Sequence, residues 1–252
     1  MENGTTGTER IRSFLVLAAT VGVIVFNWLA ATGRLGSDTA AVSAKYATLL
    51  TPAGYAFSIW SLIYLGLIAF SIYQLLPANL SRFRAVRSFY IFSCALNCAW
   101  LYFWDREQIV LCFAIILALS VTLFVICYQL RQPESLRDTW MAKEPFGLYL
   151  GWVSAATLVN FSIMLKFLGI AISAETLLAV VMILFAAAFA ILIRVKLTTY
   201  LSPLAVAWAL TAIAVKQSGH TAVVAAAAAG VIACLIASLS FVMNLHSSTS
   251  EA

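Results

Sequence analysis

Eight stretches of mostly apolar residues alternate with short polar breaks, at roughly 12–32, 54–76, 86–104, 108–130, 146–168, 174–195, 198–216 and 220–244. Each approaches the roughly 20 residues that a helix needs to cross the hydrocarbon layer, and backbone groups cannot stay unpaired there. Counting apolar runs therefore counts helices. The pattern predicts an all-α fold, a polytopic transmembrane bundle of about eight helices.

Polar tails at 1–10 and 245–252 flank the runs. The first run, with Arg10 and Arg12 ahead of it and Ala30-Ala31 behind, has the outline of a signal peptide. Its apolar length and its Asn27-Trp28 pair predict a retained helix instead. Two connections are long: 33–52, and 131–145 with its Gln132-Pro133-Glu134-Ser135 turn and mixed charges. The others span only a few residues, which predicts tight antiparallel hairpins. The 33–52 segment is a candidate lid or else a plain solvated connection.

Composition agrees with the pattern. Hydrophobic residues make up 63% of the 252 and charged residues only 10%, against about 25% charged in soluble domains; mean hydropathy is +0.98. The net charge of +5 does not indicate nucleic acid, because the basic residues sit singly or in small groups between apolar runs, as loop charges do. Ten Lys and Arg fall on the side of Arg10, Arg82, Arg131 and Arg194, and five on the side of Arg34, Lys45, Arg106, Lys166 and Lys216. That excess predicts both termini in the cytoplasm. All five cysteines lie inside apolar runs, where they behave as small hydrophobes and predict no disulfide framework.

Candidate chemistry lies in three helices. In the second, Pro52 presets the start of the helix, and Phe57, Trp60 and Tyr64 share a face at i, i+3 and i+7. In the third, Ser93, Asn97, Trp100 and Trp104 form one stripe, and in the fifth Tyr149, Trp152, Ala156 and Asn160 form another. An Asn in mid-membrane needs a partner, so Asn97 and Asn160 face protein or a cavity. Aromatic walls with a few amides suit a pocket for a flat apolar ligand; simple packing and cross-helix bonding by the amides is the other reading of the same residues. Trp104, beside Asp105, is expected in an interfacial aromatic belt.

These residues resemble the TspO family of tryptophan-rich translocator and sensory proteins. Pro52 through Tyr64 is similar to the family's proline-led second-helix signature, which ends in Trp-x-x-x-Tyr, here Trp60 to Tyr64. Leu96-Asn97-Cys98-Ala99-Trp100 resembles the third-helix Leu-Asn-x-x-Trp, with Phe103 as the following aromatic, and Trp152 with Asn160 keeps the fifth-helix spacing. The resemblance implies a five-helix bundle over 1–170 and a three-helix membrane extension over 171–252. It also implies a pocket beneath the loop joining helices one and two, with Trp60, Tyr64, Asn97, Trp100, Trp152 and Asn160 as ligand-binding residues. Porphyrins and sterols are the implied ligands, and no cofactor is required beyond a bound porphyrin as candidate ligand. The family's light-dependent porphyrin breakdown would fall to Trp60 and Trp152. Gly54-Tyr55 stands where the signature usually carries another Trp, and Leu148 where the fifth helix usually carries a Pro.

Beyond residue 170, Ala186–Ala190 and Ala225–Ala229 permit close backbone approach. Packing is the expected role there, with Trp208 and Thr211 on one face of the seventh helix.

Other functions find little support. A membrane haem protein needs His ligands within spans, whereas His220 and His246 fall in a loop and a tail. Cys94 and Cys98 have no His or carboxylate near them in sequence, so metal binding is disfavoured. No nucleophile, base and orienting group come together, and no phosphate loop exists, so the chain is not expected to be an enzyme. Ion-coupled transport would require buried ionisable groups or inverted repeats; a carrier for a hydrophobic metabolite stays open. The expected partners are a small apolar ligand and membrane lipid, with no nucleic acid and with a homodimer left open.

Overall fold

The computed structural model describes the backbone of residues 2–34, 39–170 and 173–249, with side chains described for 7–34, 41–170 and 173–240. Eight long helices follow one another among the described residues: α1 (Glu2–Ala31), α2 (Ile59–Tyr73), α3 (Arg84–Trp104), α4 (Ile109–Gln129), α5 (Glu144–Phe167), α6 (Glu175–Leu197), α7 (Leu201–Lys216) and α8 (Thr221–Thr249). Six carry stretches long and apolar enough to cross a membrane: Gly7–Ala31, Gly54–Tyr73, Ile109–Gln129, Leu136–Phe167, Glu175–Leu197 and Thr221–Ser240. Arg84 and Arg87 lower the mean hydropathy of α3, although its 21 residues match the spans in length. Helix α7 has only 16 residues, about 24 Å at 1.5 Å per residue. It packs chiefly on α5 and α8, and nine of its residues are buried. The chain is an integral multi-pass membrane protein.

Helix α1 packs on α3, burying Val16, Val23 and Ala30, and is part of the bundle. Helix α5 is the centre: 15 of its 24 residues are buried, and it touches α2, α4, α6 and α7. Small residues permit these approaches. A Cβ on Gly66 of α2 would come 2.9 Å from the Pro145 Cβ, and one on Gly151 would meet the Ser202 carbonyl oxygen of α7. Any larger residue at 151 would push the two helices apart.

The 131–145 segment differs from the long loop expected. Only its first residues are irregular; Leu136–Asp138 is helical, and a π turn over Thr139–Lys143 runs straight into α5. Several of the charges here are engaged. Ser135 Oγ accepts the Asp138 N–H at 3.0 Å, an N-cap, and Arg82 donates to both Asp138 oxygens at 2.9 and 3.0 Å. At the same end of the bundle Arg87, fully buried, donates to Glu9 Oε2 at 2.7 Å, to Gln74 Oε1 at 2.8 Å and to the Leu80 carbonyl at 2.6 Å. Glu9 also faces Arg12 and Arg84, each at 2.9 Å. One carboxylate thus gathers three guanidinium groups.

Candidate ligand pocket

The second-helix signature does not begin as α-helix. Gly54–Ser58 forms a 3-10 turn ahead of Ile59, and α7 holds it in place. Ala53 donates its N–H to the Ala212 carbonyl at 2.9 Å, and the Trp208 indole N–H donates to the Ala56 carbonyl at 2.9 Å. Tyr55 lies edge-on to Trp208 at 5.3 Å and is exposed. So fixed, the turn delivers Phe57 and Trp60 to the interior.

A small cavity of about 50 Å³ lies there, in the half of the bundle nearest the 33–52 loop. Phe57 and Trp60 border it from the α2 side, Asn97, Trp100 and Trp104 from α3, Trp152, Ala156 and Asn160 from α5, and Ala209 and Ile213 from α7. Ser43 and Pro52 border it from the loop. Trp152 meets Trp60 edge-on at 6.4 Å and Phe57 at 6.1 Å, while Trp100 and Trp104 stack at 5.1 Å. Such ring pairs are favourable beyond the area they bury.

The polar groups in this wall are engaged across helices. Asn27 of α1 donates to Asn97 Oδ1 at 2.7 Å, and Asn97 Nδ2 donates to the Tyr149 hydroxyl at 3.0 Å. Trp100 Nε1 donates to Asn160 Oδ1 at 3.1 Å, and Asn160 Nδ2 to the Ala156 carbonyl at 2.9 Å. Farther toward the other end, Phe70, Phe83, Tyr90 and Phe146 pack edge to face, and the Tyr90 hydroxyl bonds Thr20 at 2.6 Å. The bundle axis is filled below the cavity.

The loop above it is tied down at several points. Lys45 Nζ donates to Glu107 Oε2 at 2.6 Å and the Tyr46 hydroxyl donates to the same oxygen at 2.5 Å. Thr48 shares a hydroxyl hydrogen bond of 2.9 Å with Ser162 of α5, and Gln217, just past α7, donates to the Thr48 and Thr51 carbonyls at 3.1 and 3.3 Å. Glu107 sits in the left-handed region at φ 55° in the α3–α4 turn, an uncommon conformation for a side chain of its length. The hydrogen bonds from Lys45 and then Tyr46 hold its carboxyl below the ordinary range, and the bond to Glu107 raises Lys45 in return.

Of the residues expected from sequence, Trp60, Asn97, Trp100, Trp152 and Asn160 all border this one cavity. Tyr64 does not; it stacks behind Trp60 at 5.6 Å. Trp104 corrects the aromatic-belt expectation: it is only 2% exposed and lines the cavity. Its place four residues after Trp100, on the stripe with Asn97, outweighs the neighbouring Asp105. Ala209 and Ile213 also border it, and as small and aliphatic residues they carry no chemical signal in the sequence. Asn27 does carry a signal, since an amide within an apolar span needs a partner as much as Asn97 does.

A family model described as TSPO-like protein matches residues 13–241 of the chain. The chain belongs to the TSPO-like family. The match runs through α7 and most of α8, so these helices fall within the family's span along with the aromatic motifs. The chain matches no curated protein and no solved structure at a significant level. In this TSPO-like chain α7 supplies one wall of the cavity and the anchor of the second-helix signature.

Proposed function

We propose that this TSPO-like protein binds a flat, apolar ligand of the tetrapyrrole or sterol kind between its indole walls. The observation that carries the reading is the convergence of Phe57, Trp60, Trp100, Trp104 and Trp152 on a single cavity beneath a tethered loop. Ligand sites are mostly apolar with a few orienting polar groups, and here Asn97 and Asn160 provide those groups. The cavity of about 50 Å³ is far below the roughly 300–1,000 Å³ of ordinary ligand sites. Binding is therefore coupled to opening: the tethered segment 41–52 lifts and an indole turns aside. The ring cluster of Phe70, Tyr90 and Phe146 below the cavity favours binding over passage through the bundle.

Titration of the purified protein with protoporphyrin IX tests this. Saturable quenching of tryptophan fluorescence is expected, with a weakened curve in Trp60→Phe and Trp152→Phe. Absence of saturation, or unchanged curves in both variants, overturns the reading. Porphyrin flux into proteoliposomes above that of protein-free vesicles would replace it with a carrier.

A further inference from the structure

At the end of the bundle away from the indole-walled cavity, α1 and α3 bring three arginines to one acidic side chain. Glu9 and Arg12 lie on α1, and Arg84 and Arg87 lie in the first turn of α3. Arg87, fully buried, donates to Glu9 Oε2 at 2.7 Å. Glu9 Oε1 is left to the other two: Arg12 Nη1 and Arg84 Nε each lie 2.9 Å from it. The shared oxygen sets these two guanidinium groups side by side, and the buried Arg87 fixes where they stand.

The charges do not balance. One carboxylate meets three guanidinium groups, and among the described residues no other acidic group pairs with any of them. The uncompensated charge falls to the two arginines that reach the surface, since the Arg12 side chain is 30% exposed and that of Arg84 58%. Like charges held together repel each other and draw a second anion. Arg84 reaches Glu9 through Nε, and its two terminal nitrogens carry four further N–H donors. That planar fork matches the oxygens of a phosphate.

Depth decides which phosphate can reach it. Helix α3 runs 21 residues from Arg84 to Trp104, about 31 Å at 1.5 Å per residue, against a hydrocarbon layer of about 30 Å. Arg84 therefore stands at the boundary between acyl tails and headgroups, and Arg12 beside it stands at the same level. The phosphates of bilayer lipids lie there.

We propose that Arg12 and Arg84 form a site for the phosphate of an anionic membrane lipid, of the phosphatidylglycerol kind. Arg84 takes phosphate oxygens with its terminal nitrogens and Arg12 adds the second charge. Glu9, held from behind by Arg87, keeps the two guanidinium groups in one place. A lipid of net negative charge is selected over a zwitterionic one, because the positive cluster repels a choline group. The site is independent of the indole-walled cavity and of the function proposed for it.

Native mass spectrometry of the full chain, released from micelles of an uncharged detergent, tests this by counting lipid adducts during titration with dioleoylphosphatidylglycerol or dioleoylphosphatidylcholine. One phosphatidylglycerol should bind about fivefold or more tighter than phosphatidylcholine. Arg12→Gln and Arg84→Gln should each weaken phosphatidylglycerol about fivefold, as expected for one basic residue at a charged headgroup. Both should leave phosphatidylcholine unchanged, which separates a lost charge from a disturbed fold. Arg10→Gln removes another exposed arginine from the same end of α1 and should change neither lipid. Equal binding of the two lipids, an unchanged affinity in Arg84→Gln, or a loss in Arg10→Gln as large as in Arg84→Gln would each overturn the proposal. Displacement of the lipid by inorganic phosphate, but not by chloride at the same ionic strength, would overturn it in favour of a soluble phosphate.

Discussion

The Trp208 indole of α7 donates its N–H to the Ala56 carbonyl 2.9 Å away, across 152 residues of sequence. Ala56 is fully buried within the 3-10 turn that sets the direction of Phe57 and Trp60. The bond therefore connects the C-terminal helices to the wall of the cavity, although Trp208 itself does not border it. Trp208→Phe keeps much of the packing and removes the donor. The expected cost is about 0.5–1.5 kcal/mol, the worth of one hydrogen bond, since the Ala56 carbonyl keeps the Ile59 N–H. Protoporphyrin affinity should fall with it, while Tyr55→Phe, altered at an exposed ring, should change neither quantity. Denaturant unfolding in detergent together with quenching titrations would check both.

Asn97 joins three helices, accepting from Asn27 of α1 and donating to Tyr149 of α5. Side-chain hydrogen bonds between membrane helices average about 0.6 kcal/mol and reach about 1.7 kcal/mol. A double-mutant cycle on Asn27→Ala and Asn97→Ala should give a coupling of about 0.5–1.5 kcal/mol, because the two changes remove the same bond. Additive effects would show that the two amides act independently.

Much of this architecture is legible in the apolar runs, because in lipid a long uncharged stretch has few alternatives to a helix. The helix bounds found here mostly lie within a few residues of those runs. The candidate site is legible where spacing places a polar group among rings, as at Asn97 with Trp100 or Trp152 with Asn160. It is not legible where contribution depends on tertiary placement alone. Ala209 and Ile213 resemble any other apolar residue of a span, yet they close the cavity. Trp104 shows two local signals in conflict: the charge of Asp105 points to the interface and the four-residue step from Trp100 to the interior. Packing decides for the interior. In the 131–145 segment, charge and a Pro resembled a loop, but Ser135 and Arg82 both satisfy Asp138, and the helix extends almost to them.

Glu9 and Arg87 give the sharpest stability prediction. Arg87 is fully buried and Glu9 nearly so, so Glu9→Gln leaves a buried guanidinium without its counter-charge. Breaking such a pair from one side costs about 3–5 kcal/mol. Arg84, whose side chain is 58% exposed, also faces Glu9, but Arg84→Ala should cost no more than about 1 kcal/mol, as surface pairs do. Comparable losses in the two variants would mean that Arg87 is not the dominant partner.

The clasp between the loop and the α3–α4 turn should make access to the cavity depend on pH. Glu107 is held below its ordinary range by Lys45 and Tyr46. A depressed carboxylate contributes above its unfolded pKa and is lost as pH falls through the folded one. Lys45 is raised, so its contribution is present below the ordinary lysine value and is lost only as pH rises past the raised one. The clasp therefore holds from mildly acidic to strongly basic pH and opens only below the ordinary glutamate range, as pH falls through the lowered Glu107 value. Lys45 is largely exposed and the Glu107 side chain about one third so, and the effect should appear in rates rather than in global stability. Stopped-flow mixing with protoporphyrin IX would read it: association should quicken in the unaltered chain as pH falls below the ordinary glutamate range. Lys45→Met and Glu107→Gln should bind at the faster rate already at pH 7. Protonation of the porphyrin carboxylates is common to all three proteins, so the rate ratio between variant and parent isolates the clasp, and it should approach one as the pH falls. A ratio that stays constant across the range would show that Glu107 does not hold the loop.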